Sequence, residues 1–118
     1  MDNLIIKIGA DKRKELKEVF DHPERSKKNT HTLFLDNSED LYEILSPKRL
    51  ELLRYIIKHH AERQTISEIA DELKRKQEAV SRDATLLTKY NIIQKIKEKQ
   101  RVYLEALYKS LEIQLAGA

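Results

Sequence analysis

Apolar positions along the chain follow two spacings, and the change from one to the other predicts the elements. Asn3–Gly9 carries a dense run, Leu4-Ile5-Ile6 and then Ile8, that Gly9 ends, and it predicts a short strand. From Asp11 to about Asp21, Leu16, Val19 and Phe20 stand at i, i+3 and i+4, one apolar face of an amphipathic helix. His22-Pro23 stops that helix, because the residue before a proline is pushed out of the helical region. Residues 24–30 contain nothing apolar and read as an exposed loop. Thr32–Asp36 predicts a second strand, and Asn37-Ser38-Glu39-Asp40 supplies an N-cap for a short helix, Leu41–Leu45.

Helical spacing then returns three times. Ser46 caps and Pro47 opens a helix whose face carries Leu50, Leu53, Ile56 and Ile57, with Leu52 flanking. His59–Gln64 is a polar connection. Ile66, Ile69, Ala70 and Leu73 fall at i, i+3, i+4 and i+7, and Thr65 with Glu68 has capping-box spacing. A break at Lys74-Arg75-Lys76 leads to a helix over Gln77–Tyr90 with Val80, Ala84 and Leu87 inside, which Asn91 ends as a left-handed cap in place of glycine. The remainder is extended: Ile92–Lys97, a polar tip Glu98-Lys99-Gln100, Arg101–Leu107, and a last strand in which Leu111, Ile113 and Leu115 alternate with polar residues.

Three helices followed by a β-hairpin make an α+β, mainly helical fold: a winged helix-turn-helix, here with an N-terminal strand-helix-strand extension. The expected division is residues 1–36 for the extension, a candidate for dimerisation or scaffold, and 37–118 for the winged helix-turn-helix with its C-terminal strand. In such a layout the helix of Ile69-Ala70 packs across the next one, and the small Ala70 permits close approach. The second helix turns the face opposite Val80, Ala84 and Leu87 outward. A helix fits the major groove of B-DNA, and residues in its N-terminal half reach base edges. That face holds Gln77, Glu78, Ser81, Arg82 and Thr85. Arg suits guanine, Gln suits adenine and Ser suits either. Thr85 and Lys89 are placed to touch phosphates, and Lys74, Arg75 and Lys76 stand at the helix N-terminus, where the dipole favours the same anion. Lys95, Lys97, Lys99 and Arg101 line the hairpin and are expected along the DNA backbone.

Charge sharpens this picture. The chain of 118 residues has a formal net charge of only +3. Residues 74–101, however, carry nine Lys and Arg against three Asp and Glu, a net +6, while 31–73 carry five against nine, a net −4. The basic run coincides with the proposed reading helix and hairpin, the footprint of a nucleic-acid binder. The competing account of these residues is an ordinary solvated surface. For Arg82, beside Asp83, it is a structural ion pair.

Composition removes most other classes. With Cys 0 there is no disulfide, iron–sulfur cluster or thiol chemistry. Only Gly9 and Gly117 are glycines, so a glycine-rich phosphate loop is impossible. No window approaches the ~20 apolar residues of a membrane span, and the N-terminus carries no apolar signal region, so a cytoplasmic location is expected. His59-His60 invites a metal reading, but adjacent helical side chains point about 100° apart, and a surface helix end explains them better. Glu39-Asp40 and Glu68/Asp71/Glu72 read as caps and helix surface. No enzyme activity, cofactor or metal is expected. The abundance of Lys, Glu and Ile leans toward a thermophilic source.

Leu45-Ser46-Pro47-Lys48-Arg49-Leu50-Glu51-Leu52-Leu53, Val80-Ser81-Arg82-Asp83 followed by Leu87, and the ending Tyr108–Leu115 together resemble the predicted winged helix-turn-helix transcriptional regulators of archaea and mobile elements. These are related in architecture to the MarR and ArsR families. The resemblance implies a homodimeric repressor or regulator that binds double-stranded DNA. It departs at Asn91 and at the Lys74–Lys76 turn, where those proteins usually have glycine. Two other functions fit the same elements. One is a winged-helix protein-interaction module, such as a partition adaptor or an antitoxin-like partner binder. The other, a single-strand nucleic-acid binder, would want exposed aromatics for stacking, and the basic run holds only Tyr90.

Overall fold

The computed structural model describes residues 2–25 and 29–115, so part of the expected 24–30 loop lies outside the described residues. Its elements are β1 (Asp2–Ile8), α1 (Lys12–Asp21), a 3-10 turn (Pro23–Arg25), β2 (Thr30–Leu35), α2 (Ser38–Ile44), α3 (Pro47–Lys58), β3 (Gln64–Thr65), α4 (Ile66–Leu73), α5 (Gln77–Lys89), β4 (Ile93–Glu98), β5 (Arg101–Ala106) and β6 (Tyr108–Leu115). They form two compact units, one of Met1–Tyr42 with Lys109–Ala118 and one of Glu43–Tyr108. Among the described residues no helix is long and apolar enough to cross a membrane.

The first unit is a strand-helix-strand element closed by the C-terminal strand. β1 and β2 run parallel, from Asn3 opposite Thr30 to Ile8 opposite Leu35, and α1 makes the crossover that parallel pairing requires. Asp11 caps α1, accepting from the Arg13 and Lys14 backbone N–H groups at 3.0 and 3.2 Å. The sheet order is β2-β1-β6. This differs from the expected division at residue 36, which left the C-terminal strand with the winged helix. The reason lies in β1, whose Leu4, Ile5, Ile6 and Ile8 are all buried. A strand apolar on both faces belongs inside a sheet with a neighbour on each edge, and β6 is its second neighbour. The expected apolar face of α1 stays open instead: no residue of α1 is buried, and Phe20 is 85% exposed. What ties α1 down is polar, an ion pair of 2.9 Å from Lys7 to Glu15 and Lys12 over the Phe34 ring.

The second unit is the winged helix-turn-helix. α3 packs on α5 and β5, and α4 packs on α5 and β3. The sheet order β3-β5-β4 places the hairpin of β4 and β5 beside a two-residue strand, with Gln64 opposite Leu104 and Thr65 opposite Tyr103. The core gathers Leu52, Leu53 and Ile56 of α3, Ile66, Ile69 and Ala70 of α4, and Val80, Ala84 and Leu87 of α5. Ile92, Ile93, Leu104 and Ala106 close it from the hairpin side. The expected α3 stripe is thus rotated: Leu52 is fully buried and Leu50 is 44% exposed. A helix with two partners buries a wider face, centred on residues that reach both.

Both helices of the helix-turn-helix end in a residue with left-handed backbone, and neither is glycine. After α5, Asn91 has φ 57°, with its N–H bonded to the Thr88 carbonyl and the Ile92 N–H to that of Leu87. After α4, Lys74 has φ 54°, with its N–H on Asp71 and the Arg75 N–H on Ala70. This is the double-bonded Schellman arrangement at both sites. At its other end α4 carries the full capping box of Thr65 and Glu68.

One buried acid organises the unit. Asp83, on α5, accepts from Arg75 Nη2 at 2.6 Å, and its other oxygen lies 3.2 Å from Arg49 Nε. The Arg49 contact is one of charge rather than hydrogen bonding, since Nε is buried without a hydrogen-bond partner. Arg49 also donates to the Glu43 carbonyl, and Arg75 to that of Lys48 at 3.4 Å. The Arg75 and Asp83 side chains are 9% and 10% exposed. α3, the α4–α5 turn and α5 are therefore joined through one carboxylate.

Two stability outcomes follow. Asp83→Ala leaves two guanidinium groups without their counter-charge, and loss of one partner of a buried pair costs about 3–5 kcal/mol. Urea unfolding is expected to show a loss in that range, and a change below about 1 kcal/mol contradicts the joint. Lys74→Gly removes a left-handed penalty of about 1–2 kcal/mol against an entropic cost of about 0.5–1 kcal/mol. The same measurement is expected to show a small gain in stability, and a loss contradicts strain at the turn.

Candidate nucleic-acid interface

The twelve side chains expected to contact DNA divide sharply by position. Lys74, Lys76, Gln77, Arg82, Thr85, Lys89, Lys95, Lys97, Lys99 and Arg101 are exposed, and Ser81 is half-buried. Arg75 is the exception. It turns inward to Asp83, so its charge is used within the fold and is not free for a phosphate. The expected alternative for Arg82, an ion pair with its neighbour Asp83, does not form: Asp83 faces Arg49 and Arg75, while Arg82 is exposed. Successive helical residues diverge by about 100°, which separates the two.

α5 presents its N-terminal half openly. Lys76 stands at the N-cap, where no side-chain hydrogen bond closes the helix. The first N–H groups of a helix are orphan donors on the positive end of its dipole. Lys74, Lys76, Gln77 and Arg82 surround that end or follow within two turns. Gln77 and Ser81 also line a cleft of about 550 Å³ with Thr65, Ser67 and Glu68 at the start of α4 and Gln100, Arg101 and Val102 of the hairpin. Glu78 is exposed on the same helix.

The hairpin brings its own charges to this helix. Register pairs Lys95 with Leu104 and Lys97 with Val102. Strand alternation then puts Lys95 and Lys97 on the same face as the buried Ile93. Lys95 Nζ donates to Thr85 Oγ1 at 2.6 Å, and Thr85 Oγ1 donates to the Ser81 carbonyl at 2.9 Å. That chain of bonds holds the β4 lysine against the exposed face of α5.

The opposite face of the hairpin is arranged differently. Glu98 lies opposite Arg101 and binds Arg63 Nη2 at 2.7 Å. That hydrogen bond, with the Glu98 charge, raises the Arg63 pKa further above its ordinary value. Arg63 also lies over the Tyr103 ring at 5.1 Å. Glu98 is thereby neutralised by a residue outside the basic run, a pairing that no sequence spacing announces. The turn itself has two residues, and Lys99 takes φ 58° at its first position, so its side chain stands at the exposed tip.

His59 closes α3, stacks on Tyr55 with ring centroids 4.3 Å apart and lies 3.2 Å from Glu62. Among the described residues no group of three His, Asp or Glu is placed to hold a metal ion.

Residues 44–113 match the model of the HVO_A0114 family. No curated protein matches the chain. Among solved structures the chain is similar to MepR, a transcription regulator of the Staphylococcus aureus multidrug efflux pump MepA, at 21% identity and TM-score 0.50, covering 58% of this chain and 53% of that one. It therefore spans about half the length of MepR. It is similar to NolR from Sinorhizobium fredii at 18% identity and TM-score 0.51, covering 83% and 78%. YusO from Bacillus subtilis matches at 22% identity and TM-score 0.50, covering 80% and 61%. At these identities the likeness is one of fold, the winged helix-turn-helix. The family match takes in more than half of the residues, from the end of α2 to β6, and the chain belongs to the HVO_A0114 family.

Proposed function

We propose that the chain is a sequence-specific double-stranded DNA-binding transcriptional regulator, a repressor that acts as a homodimer. α5 enters the major groove, where Gln77, Ser81 and Arg82 meet base edges. Lys74 and Lys76 meet phosphates at the helix N-terminus. The hairpin follows the backbone through Lys95, Lys97, Lys99 and Arg101, and Lys89 meets phosphate beyond the reading face. The observation that carries the reading is the Lys95–Thr85 bond of 2.6 Å, which holds a hairpin cation against the exposed face of α5. The uncapped start of α5 adds support, since helix N-termini receive phosphate readily. The fold neighbour described as a transcription regulator, MepR, is consistent with it. The proposal asks for no catalytic chemistry and no cofactor.

In a homodimer the two reading helices would sit about 34 Å apart on a near-palindromic site. Selection of bound sites from random duplex DNA tests sequence preference and half-site spacing together. Recovery of a paired motif is expected, and a pool with no enriched sequence sinks the regulator reading in favour of a protein-binding role. Arg82→Ala is expected to abolish the specific footprint while the far-UV spectrum stays unchanged, and an intact footprint removes Arg82 from the reading face. Lys97→Ala with Lys99→Ala is expected to weaken binding to all sequences and to flatten the log–log salt slope by about 1.8, at about 0.9 per lost phosphate contact. An unchanged slope counts against the hairpin as a backbone contact.

A further inference from the structure

The first unit ends in an open edge. In the order β2-β1-β6, β6 has β1 on one side and, among the described residues, no strand on the other. At eight residues it is longer than β2, the other edge strand, which has six. Native sheets blunt such edges with proline, bulges, short strands or charged side chains; Tyr108–Leu115 contains no proline, and its charges are Lys109 and Glu112. Its apolar residues remain open outward: Leu111 is half-buried, Ile113 is 44% exposed and Leu115 is 77% exposed. The strand is fixed from its inner side, where Ser110 Oγ donates to Asn3 Oδ1 at 2.7 Å.

We infer that the partner of this edge is β6 of a second copy, paired antiparallel about a two-fold axis through Leu111. The inference rests on the homodimer in the functional reading and names its surface. Directly opposed residues of an antiparallel pair have side chains on one face. A two-fold axis normal to the sheet must therefore pass through a residue that faces its own copy. An axis through Lys109 or Glu112 opposes like charges, which destabilises a pair. An axis through Ser110 or Ile113 pairs only five residues of β6. An axis through Leu111 pairs seven, with Leu111 on itself, Lys109 opposite Ile113 and Ser110 opposite Glu112. It is the register that combines the longest overlap with no like charges opposed. It also places Leu111, Ile113 and Leu115 of both copies on a single face, with Lys109 beside Ile113. The result is a six-stranded sheet ordered β2-β1-β6-β6-β1-β2.

The absence of cysteine makes the register readable. Each single-cysteine variant of the full chain is oxidised mildly and run on a non-reducing gel, beside sedimentation equilibrium of the unaltered protein. Leu111→Cys is expected to give a covalent dimer, because its two copies face each other within disulfide reach. Ile113→Cys is expected to remain uncrosslinked, because its copies stand four residues, about 13 Å, apart along the strand. Phe20→Cys, on the open face of α1, is also expected to stay uncrosslinked. A dimeric protein that crosslinks at Phe20 and not at Leu111 overturns the edge pairing and leaves the homodimer standing. A monomeric protein overturns both. Leu111→Lys and Leu111→Glu guard against a folding artefact: each alone is expected to self-associate at least tenfold more weakly, and their mixture to recover the dimer. Undiminished association of either variant, or a mixture that stays monomeric, overturns the proposal.

Discussion

The carboxylate of Asp83 sits where three parts of the winged helix meet. Arg49 reaches it from α3, and Arg75 reaches it from the turn that joins α4 to α5. A buried acid between two cations loses much hydration, and only close, well-directed contacts recover it. The 2.6 Å bond from Arg75 is such a contact, and the same guanidinium spends a second donor on the Lys48 carbonyl. Between α4 and α5 the buried contacts are apolar, from Ile66, Ile69 and Ala70 to Val80, Ala84 and Leu87. A charge triad does not tolerate sliding, because displacement exposes no alternative partner. The direction in which α5 presents Gln77 and Arg82 thus follows from a salt link on its opposite side.

That link also sorts the charges of the basic run. Arg75 and Asp83 cancel each other inside the fold, and Glu98 on the hairpin is answered by Arg63 from before β3. Lys74, Lys76, Arg82, Lys89, Lys95, Lys97, Lys99 and Arg101 are left exposed, with Glu78 as the acid on the same helix. The surface is accordingly more basic than the local composition states. Two of these lysines, 74 and 99, occupy left-handed positions that glycine fills at no steric cost. A lysine there accepts strain and contributes a cation at a tight turn, where the backbone holds it outward.

Periodicity made α3, α4, α5 and the hairpin legible, because each buries one stripe and the stripe repeats with the period of its element. Asn91 was legible as a left-handed cap for a related reason: asparagine tolerates that region, and the apolar pattern changes period right after it. Other features left no local trace. β3 is two polar residues, too short to alternate, and is defined only by its pairing with Leu104 and Tyr103. The Asp83 joint spans 34 residues to Arg49, while the sequence offered Arg82 as the nearer and geometrically unsuitable partner. Leu50 and Leu52 were both compatible with the α3 spacing, and only the presence of two packing partners decides between them. The destination of β6 depended on β1 needing a second neighbour, which lies more than 100 residues away in the chain. For the candidate interface, the exposure of Lys74, Lys76, Arg82 and the hairpin cations was readable, but which cation the fold consumes was not.

The sheet of the first unit joins the two ends of the described chain: Asn3 and Ser110, separated by 107 positions, share a hydrogen bond. The winged helix, in contrast, is one continuous stretch from Glu43 to Tyr108. Contacts close in sequence form early, and those that close long loops form late. On a ribosome, which adds about 5–20 residues per second, the winged helix can fold as its hairpin emerges. β1 precedes the winged helix in the chain and β6 follows it, so β1 must wait for β6. Throughout that interval Leu4, Ile5, Ile6 and Ile8 form a β-prone apolar segment with one edge unpaired. Translation order thus leaves β1, made before the winged helix, to be completed after it, and exposed to wrong partners in the meantime.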